Sequence, residues 1–189
     1  MQSFSQKAHD GWRRRRDDCS GQAFVEFVFV VIILAVMLFG LIDFGRAIYE
    51  RQVITSLSRE GANLAARGSG NSTEDRLTNA VDAVIASSLP LDFNAKGRVT
   101  VSAVTASNSQ FFVLHQVSKG GMPANDAVSH LRTGTGEFGT MPVTTTPQIP
   151  QDGQIVYVTE IFYSFAPITP VGKLLNLAAS TPLYDAAYF

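Results

Sequence analysis

The chain has 189 residues, with 15 basic and 16 acidic side chains and a formal net charge of −1. Five of the basic and three of the acidic residues lie in residues 1–21, so residues 22–189 carry a net charge of −3. This balance excludes the basic surface that nucleic-acid binding requires, and we expect no nucleic-acid partner. The single cysteine, Cys19, lies in the same first segment, which leaves residues 22–189 without a disulfide or a cysteine metal site.

The first predicted elements are a basic segment and a membrane span. Arg13 to Arg16 precede an apolar run from Ala23 to Ile42, which is long enough to cross a bilayer as a helix of roughly 20 residues. The positive-inside rule places the basic N-terminus in the cytoplasm and the residues after Ile42 outside. A cleaved secretory signal has the same order, but this apolar run exceeds the usual signal core and no Ala-x-Ala site follows it. The sequence therefore favours a retained single-pass anchor.

A single carboxylate, Glu26, lies near the start of this apolar span. A charge costs about 2.5–3.5 kcal/mol at the centre of a membrane helix and less near its ends, so an ionisable residue in such a place indicates a function. A simpler interpretation also exists. Glu26 would then be a flanking carboxylate near a helix start, where negative charge is favourable, and Gly21 after Ser20 would be ordinary helix-start sequence.

The order of Gly21, Glu26, Phe27 and a hydrophobic helix resembles the processing site of type IV prepilins, and more closely that of the Flp-type prepilins. In that group a peptidase cuts after the Gly, and Glu-Tyr occupies the fifth and sixth mature positions. Phe27 stands here in the place of the Tyr. The wider pattern resembles the TadE-like pseudopilins of the tight-adherence (Tad) pilus, in three stretches: Gly21 to Phe27, Phe44-Gly45-Arg46-Ala47, and Val156-Tyr157-Val158 followed by Tyr163-Ser164-Phe165-Ala166-Pro167.

This resemblance implies a function, a set of partners and a location. It implies a minor pilin that takes part in assembling a Tad/Flp-type type IV pilus for surface adherence, with no enzymatic activity and no cofactor. A prepilin peptidase would remove a cytoplasmic leader, residues 1–21, and the partners would be other pseudopilins and Tad assembly proteins in a hetero-oligomer. The mature protein would lie in the bacterial inner membrane, with residues 22–43 as the transmembrane helix and residues 44–189 as a periplasmic or extracellular domain, or in the pilus itself.

The predicted cut gives Glu26 a physical role. Cleavage after Gly21 would leave Gln22 with a positive amine at the membrane face, and a carboxylate four residues along a helix lies one turn away. Glu26 could then neutralise this amine, or that of a neighbouring subunit, and so act as a directional docking element.

The helix is predicted to continue beyond the membrane, because no Pro occurs from Gln22 to Arg67. Gly68 to Asn71 should end it, and Ser72 with Asp75 should cap a second helix that stops before Pro90. Two groups of side chains on these helices support packing. The first is an apolar stripe of Ala47, Ile54, Leu57, Gly61 and Leu64 on the first helix and Leu77, Val81, Val84 and Ile85 on the second. The second group consists of small residues that permit close approach: Ser56, Gly61, Ala62, Ala65 and Ala66.

Three strands are predicted after these helices. Val99 to Ala103 alternates as a strand with one solvated face, Phe111 to Val117 follows, and Gln154 to Ala166 should be central because both of its faces are apolar. Residues 132–153 are rich in Thr, Gly and Pro, which predicts a long loop or a poorly ordered hairpin. The predicted fold is α+β and pilin-like: a single long N-terminal helix, with a membrane-spanning and a projecting half, packed on a small, mostly antiparallel sheet with a second helix.

The sequence gives little support for a catalytic site. His9, His115 and His130 are far apart in sequence, and His115 is expected to be a packing or surface residue. Asp43 and Arg46 are expected to pair at the outer membrane surface, and Glu160 to lie at an edge or to pair with a cation, with a buried acid as the less favoured alternative. Two further functions remain open: an anchored envelope protein with a binding or enzymatic outer domain, and a pilus-tip adhesin that binds through residues 132–153.

Overall fold

The computed structural model describes residues 3–107, 110–131, 151–174 and 182–189, with side chains from Gly21 onward except at 107–111. Most of the predicted loop and the side chain of His9 lie outside the described residues. The elements in chain order are α1 (Ser3–Arg67), α2 (Thr73–Ala86), α3 (Phe93–Lys96), β1 (Gly97–Ser107), β2 (Gln110–Gly120), β3 (Ile155–Tyr163), α4 (Pro170–Leu174) and β4 (Leu183–Tyr188).

The long helix α1 is continuous and ends at Arg67, as predicted. The chain leaves the helix at Gly68, where a Cβ would lie 2.7 Å from the carbonyl oxygen of Leu64, so a residue with a side chain would not fit this backbone path. The predicted cap of α2 is also confirmed, since the Ser72 hydroxyl accepts a hydrogen bond of 3.1 Å from the backbone N–H of Asp75. The helix ends at Ala86, four residues before Pro90.

The sheet is antiparallel throughout, in the order β2-β1-β3-β4. Buried side chains of α1, α2, β1 and β3 share one core cluster, so both helices pack on the same face of the sheet. Its largest members include Ile54, Leu77, Phe93 and Ile161. The predicted α+β fold is therefore confirmed, and β3 is central between β1 and β4.

Close packing of α1 on the sheet depends on small residues at Gly61, Ala62 and Ala65, which are all buried. A Cβ at Gly61 would lie 2.9 Å from the methyl groups of Thr159 and Val84, so the sheet and α2 approach the helix backbone directly. The prediction for this small-residue surface is wrong at Ser56, which is exposed.

The prediction of a solvated face on β1 is also wrong. Thr100 and Ser102 are only 2% and 0% exposed. The chain after β2, residues 121–131, covers this second face of the sheet and contributes Met122 and Leu131 to two smaller core clusters. Polar side chains remain stable there because they pair across strands: Gln116 Nε2 donates to Ser102 Oγ at 2.9 Å.

Three short elements had not been predicted: α3, α4 and β4. The sequence of β4 contains Asp185, Ala186 and Ala187, residue types that are depleted in strands, so its own pattern is weak. It forms because it pairs with β3 and because Ser58 on α1 donates a short hydrogen bond to Asp185. α4 did carry a recognisable signal, Thr169 followed by Pro170, which is typical of a helix start.

Candidate assembly and membrane site

The first half of α1 has an almost bare apolar surface. From Gly21 to Ile42 its large side chains project from the molecule, with Phe24 68%, Met37 67% and Leu41 68% exposed. Among the described residues, one helix, Gly21–Arg67, contains a window long and apolar enough to cross a membrane, with a mean hydropathy of 3.0 and none of it buried. An apolar surface of this extent needs lipid or protein around it.

The predicted processing and docking residues all lie at the start of this bare surface. Gly21, Gln22, Glu26 and Phe27 are exposed, and no atom approaches within 4 Å of the position that a Cβ on Gly21 would occupy. Because α1 runs through residues 21 and 22 without a break, Gln22 and Glu26 are one helical turn apart. Their roles in processing and assembly stay predictions.

Cleavage between residues 21 and 22 would have a definite electrostatic effect on this helix. It would convert the middle of α1 into a helix N-terminus, whose first N–H groups lose their carbonyl partners and carry a partial positive charge. The new amine of Gln22 would add a full positive charge at the same place. Glu26 would then be the nearest carboxylate along the helix.

The bare surface ends at Asp43, the first residue of α1 after Gly21 that is fully buried. Asp43 is 3% exposed, and its Oδ1 accepts hydrogen bonds from the backbone N–H groups of Ile168 (3.1 Å) and Thr169 (3.3 Å). Its Oδ2 accepts a short hydrogen bond from the hydroxyl of Thr169, which in turn caps α4 by accepting from Gly172 N–H at 3.1 Å. We call these contacts, together with those of Arg46 and Glu50, the junction.

Arg46 and Glu50 continue the junction along the same face of α1. Arg46 Nη1 donates to the carbonyl of Ala166 at 3.3 Å, and its Nη2 lies 2.9 Å from Glu50 Oε1. The predicted pair of Asp43 with Arg46 is therefore wrong, because Arg46 pairs with Glu50. Asp43 is occupied by donors from Ile168 and Thr169, which belong to residues 168–174, the α4 segment. The sequence could not show this, because those donors lie 125 and 126 residues away.

Glu50 is a buried carboxylate with incomplete hydrogen bonding. It is 3% exposed, and its Oε2 has no hydrogen-bond partner among the described atoms. Burial raises the pKa of Glu50 above its usual value, and the nearby positive charge of Arg46 opposes this only in part. The junction therefore contains a carboxylate whose charged form is disfavoured by its surroundings.

A second buried acid, Glu160, lies in β3 on the other face of the sheet. The expectation of an edge position or a cation partner is wrong, because Glu160 is 0% exposed and accepts hydrogen bonds from Ser129 Oγ, from the backbone N–H of His130 (2.8 Å) and from the phenol of Tyr184 (3.0 Å). Burial and the Glu160 charge raise the pKa of Tyr184, which keeps that phenol protonated as a donor. Glu160 thus fastens residues 129–130 to the sheet.

The two histidines whose side chains are described have different surroundings. His115 is exposed on β2, as expected, and the ring of His130 packs at an angle against Tyr184, with ring centroids 4.1 Å apart. Within the part of the chain that the structure describes, no group of three or more His, Cys, Asp or Glu side chains is arranged to hold a metal ion.

A family comparison matches the region that contains the bare surface and the α1 side of the junction. The model of the family described as TadE-like protein matches residues 21–63. This match supports membership of the TadE-like family. Neither a search of curated proteins nor a search of solved structures gave a match.

The limits of the TadE-like segment are informative. It begins at Gly21 and includes Asp43, Arg46 and Glu50. The residues 166, 168 and 169 that bind Arg46 and Asp43 lie outside it. The match relates the chain to the minor pilins of the Tad pilus. Together with the apolar helix, it suits a membrane-anchored, single-pass protein.

Proposed function

We propose that the protein is a TadE-like pseudopilin, a minor pilin that takes part in assembling a Tad/Flp-type type IV pilus for surface adherence. A prepilin peptidase matures it by cutting after Gly21, and it then acts with other pseudopilins and Tad assembly proteins in the inner membrane. Its role is structural and not enzymatic. The observation that carries the proposal is the family match over residues 21–63, which coincide with the exposed helix and its junction.

The accessibility of the predicted cleavage site supports this proposal. The first residue of α1 that is buried by the outer domain is Asp43, 22 residues after Gly21 and so about 33 Å along the helix. This distance is comparable to the thickness of the hydrocarbon core. A peptidase acting at the cytoplasmic face would therefore meet Gly21 without contact from the folded domain.

The shape of α1 supports a role in assembly. A helix with a bare apolar half and a domain-bearing half can stay in lipid before assembly and pack against the helices of other subunits afterwards. Glu26, exposed near the cytoplasmic end, would pair with the amine of Gln22 on its own or on a neighbouring subunit. This pairing would specify the axial position of one helix against the next, because an unpaired charge in lipid is costly.

The substitution Gly21→Leu tests the proposed maturation. A peptidase site shaped for Gly should reject the larger side chain, whereas the apolar span that drives insertion is unchanged, so we expect an inserted protein that keeps residues 1–21. Mass spectrometry of the purified chain, with and without the prepilin peptidase, reads the N-terminus directly. The matched control is Gly40→Leu, the same change in the same helix, at a position where no atom lies within 4 Å of the added Cβ.

The two outcomes of this experiment separate the candidate functions. A chain that begins at Gln22 in the wild type and in Gly40→Leu, but not in Gly21→Leu, supports the pseudopilin. A wild-type chain that retains its leader in the presence of the peptidase contradicts it, and would favour an anchored envelope protein with a binding or enzymatic outer domain.

A further inference from the structure

The junction fixes the height of the α4 segment along α1. Asp43 follows directly after the last residue of the predicted membrane span, Ile42, and its carboxylate holds the backbone of Ile168 and Thr169. Gly172 also contacts this carboxylate, since a Cβ at Gly172 would overlap it. Residues 168–172 therefore lie at the level where α1 leaves the predicted span.

The chain reaches this level by descending toward the membrane. Ala166 is held by Arg46, which lies three residues beyond Asp43 and so about 4.5 Å farther from the span. Thr169 is held by Asp43 itself. Helical side chains also tilt toward the N-terminus, which is the membrane side here, and this brings the Asp43 carboxylate closer still to the span.

The surface of α1 is already less exposed about one turn inside the predicted span, at Phe39. This side chain is half-buried, whereas the adjacent Leu38 and Leu41 are 57% and 68% exposed. Phe39 precedes Asp43 by four residues and so lies on the same face of the helix. The outer domain and the predicted lipid-facing region therefore overlap along the helix axis.

The side chains that the α4 segment leaves uncovered suit a lipid interface. Ile168 is 56% and Leu174 is 85% exposed, and the exposed Lys173 directly precedes Leu174. Apolar side chains next to a Lys are typical of segments that lie in the boundary between headgroups and acyl chains. The apolar groups are buried there, and the ammonium group stays among phosphates.

We propose that the segment Ile168 to Leu174 rests on the outer surface of the bilayer that α1 crosses, as a second membrane contact of the protein. The occupant of this surface is lipid, because the segment is continuous with the predicted span and partly overlaps it. The inference rests on the proposed membrane anchoring. Two contacts, one through the helix and one through the α4 segment, fix the rotation and the tilt of α1, which a single helix leaves variable.

Depth-dependent fluorescence quenching tests this contact in the full chain. Cys19 is the only native cysteine, so a Cys19→Ser background permits single labelling sites. An environment-sensitive fluorophore is attached at Leu174→Cys, at Leu34→Cys in the predicted span, or at Val128→Cys. Each protein is placed as one copy per lipid nanodisc, with quenchers attached either at a shallow or at a deep position of the acyl chain.

Val128 is the matched control because it is apolar, 60% exposed and distant from the junction. Val128 precedes Ser129, whose hydroxyl donates a hydrogen bond to Glu160 in β3. Thr159, the residue before Glu160, packs against Gly61 of α1. Gly61 follows Asp43 by 18 residues, or about 27 Å along α1. We expect the shallow quencher to reduce the fluorescence at position 174, the deep quencher to reduce it at position 34, and neither to affect position 128.

The outcomes distinguish this inference from the proposed function. Quenching at position 34 with no more quenching at 174 than at 128 overturns the second contact while the anchor stands. A blue-shifted but unquenched label at 174 also overturns it, because protein would then cover the segment. Absence of quenching at 34 refutes the membrane anchoring itself, and the inference fails with it. A label at Ile168→Cys provides an independent second reading of the same contact.

Discussion

The two halves of α1 differ in how polarity and burial are related. From Gly21 to Ile42 the helix is apolar and exposed, while from Asp43 to Arg67 its buried positions include Asp43, Glu50 and Ser58. Both halves are one uninterrupted helix, so backbone structure does not distinguish them. The difference lies in what each half is built to contact.

This comparison shows why the outer half can bury polar side chains. Asp43 accepts three hydrogen bonds, Ser58 donates a short hydrogen bond to Asp185, and Glu50 has Arg46 as its partner. Each of these three side chains thus has at least one partner that offsets part of its desolvation cost, although Oε2 of Glu50 has none among the described atoms. In the bare half Glu26 lies outside the folded domain, so its proposed partner must come from the processed N-terminus or from another subunit.

Replacement of Glu26 by Gln should have the largest effect on the bare half. If the carboxylate neutralises the Gln22 amine, Glu26→Gln removes the charge but keeps the size of the side chain. We expect normal processing and insertion but no assembly, because stranding one charge of a desolvated pair costs about 3–5 kcal/mol. Counts of pili and co-purification with partners measure the loss.

The matched control for this substitution is Glu60→Gln, the same change at an exposed position on the outer half of α1. It should leave assembly unchanged. Wild-type piliation with Glu26→Gln would show that Glu26 is only a flanking residue tolerated near the helix start, because Gln inserts into lipid slightly more easily than Glu.

Removal of the Asp43 carboxylate should have the largest effect on the outer half. Asp43→Ala leaves two backbone N–H groups and the Thr169 hydroxyl without their acceptor, and we expect a loss of about 3 kcal/mol in the free energy of unfolding. Urea unfolding of the full chain in detergent micelles, followed by circular dichroism, measures it. Asp82→Ala, which removes an exposed pair with Lys119, should change stability by less than about 1 kcal/mol. Equal losses in the two variants would contradict the role given to the junction.

Replacement of glycine by Ala should destabilise the protein where α1 is packed against the sheet and stabilise it where α1 is open. Gly61→Ala places a methyl group 2.9 Å from Thr159 and Val84, and we expect it to destabilise the domain by about 1–2 kcal/mol after the gain in helix propensity is counted. Gly45→Ala meets no atom within 4 Å and should stabilise the helix by about 0.5–1 kcal/mol. Thermal unfolding of both variants measures the pair, and a stabilising effect of Gly61→Ala would refute the close approach of the sheet.

The smallest expected effect is a change in the pH dependence of stability through Glu50. Because burial raises its pKa in the folded state, the folded protein binds this proton more tightly than the unfolded chain does. The contribution of Glu50 is therefore most favourable below its usual pKa of 4.5 and is lost as the pH rises through the folded-state value.

Glu50→Gln should remove this component and become more stable relative to the wild type as the pH rises above 4.5, by on the order of 1 kcal/mol or less. Urea unfolding at a series of pH values measures the difference between the two proteins. Glu74→Gln, at an exposed position in the first turn of α2, is the control. A difference that does not vary with pH would contradict the raised pKa of Glu50.

Much of the architecture could be predicted from the sequence because it depends on local patterns. The absence of Pro from Gln22 to Arg67, the Gly68 to Asn71 break and the Ser72 cap act within a few residues, and the structure confirms each. The apolar faces of β3 likewise predicted its central position. The motif of Gly21, Glu26 and Phe27 pointed to the family that the comparison supports.

Tertiary structure alone decided which polar side chains became buried and which residues they bind. Asp43, Ser58 and Glu160 bind partners 125, 127 and 31 residues away, so no local pattern could identify them. The second face of β1 became buried because residues 121–131 fold over it, and β4 formed because β3 offered it an edge. Local sequence determines where helices and strands begin and end. Which hydrogen-bond partner offsets the desolvation of a buried polar group depends on the tertiary fold, because that partner is distant in sequence.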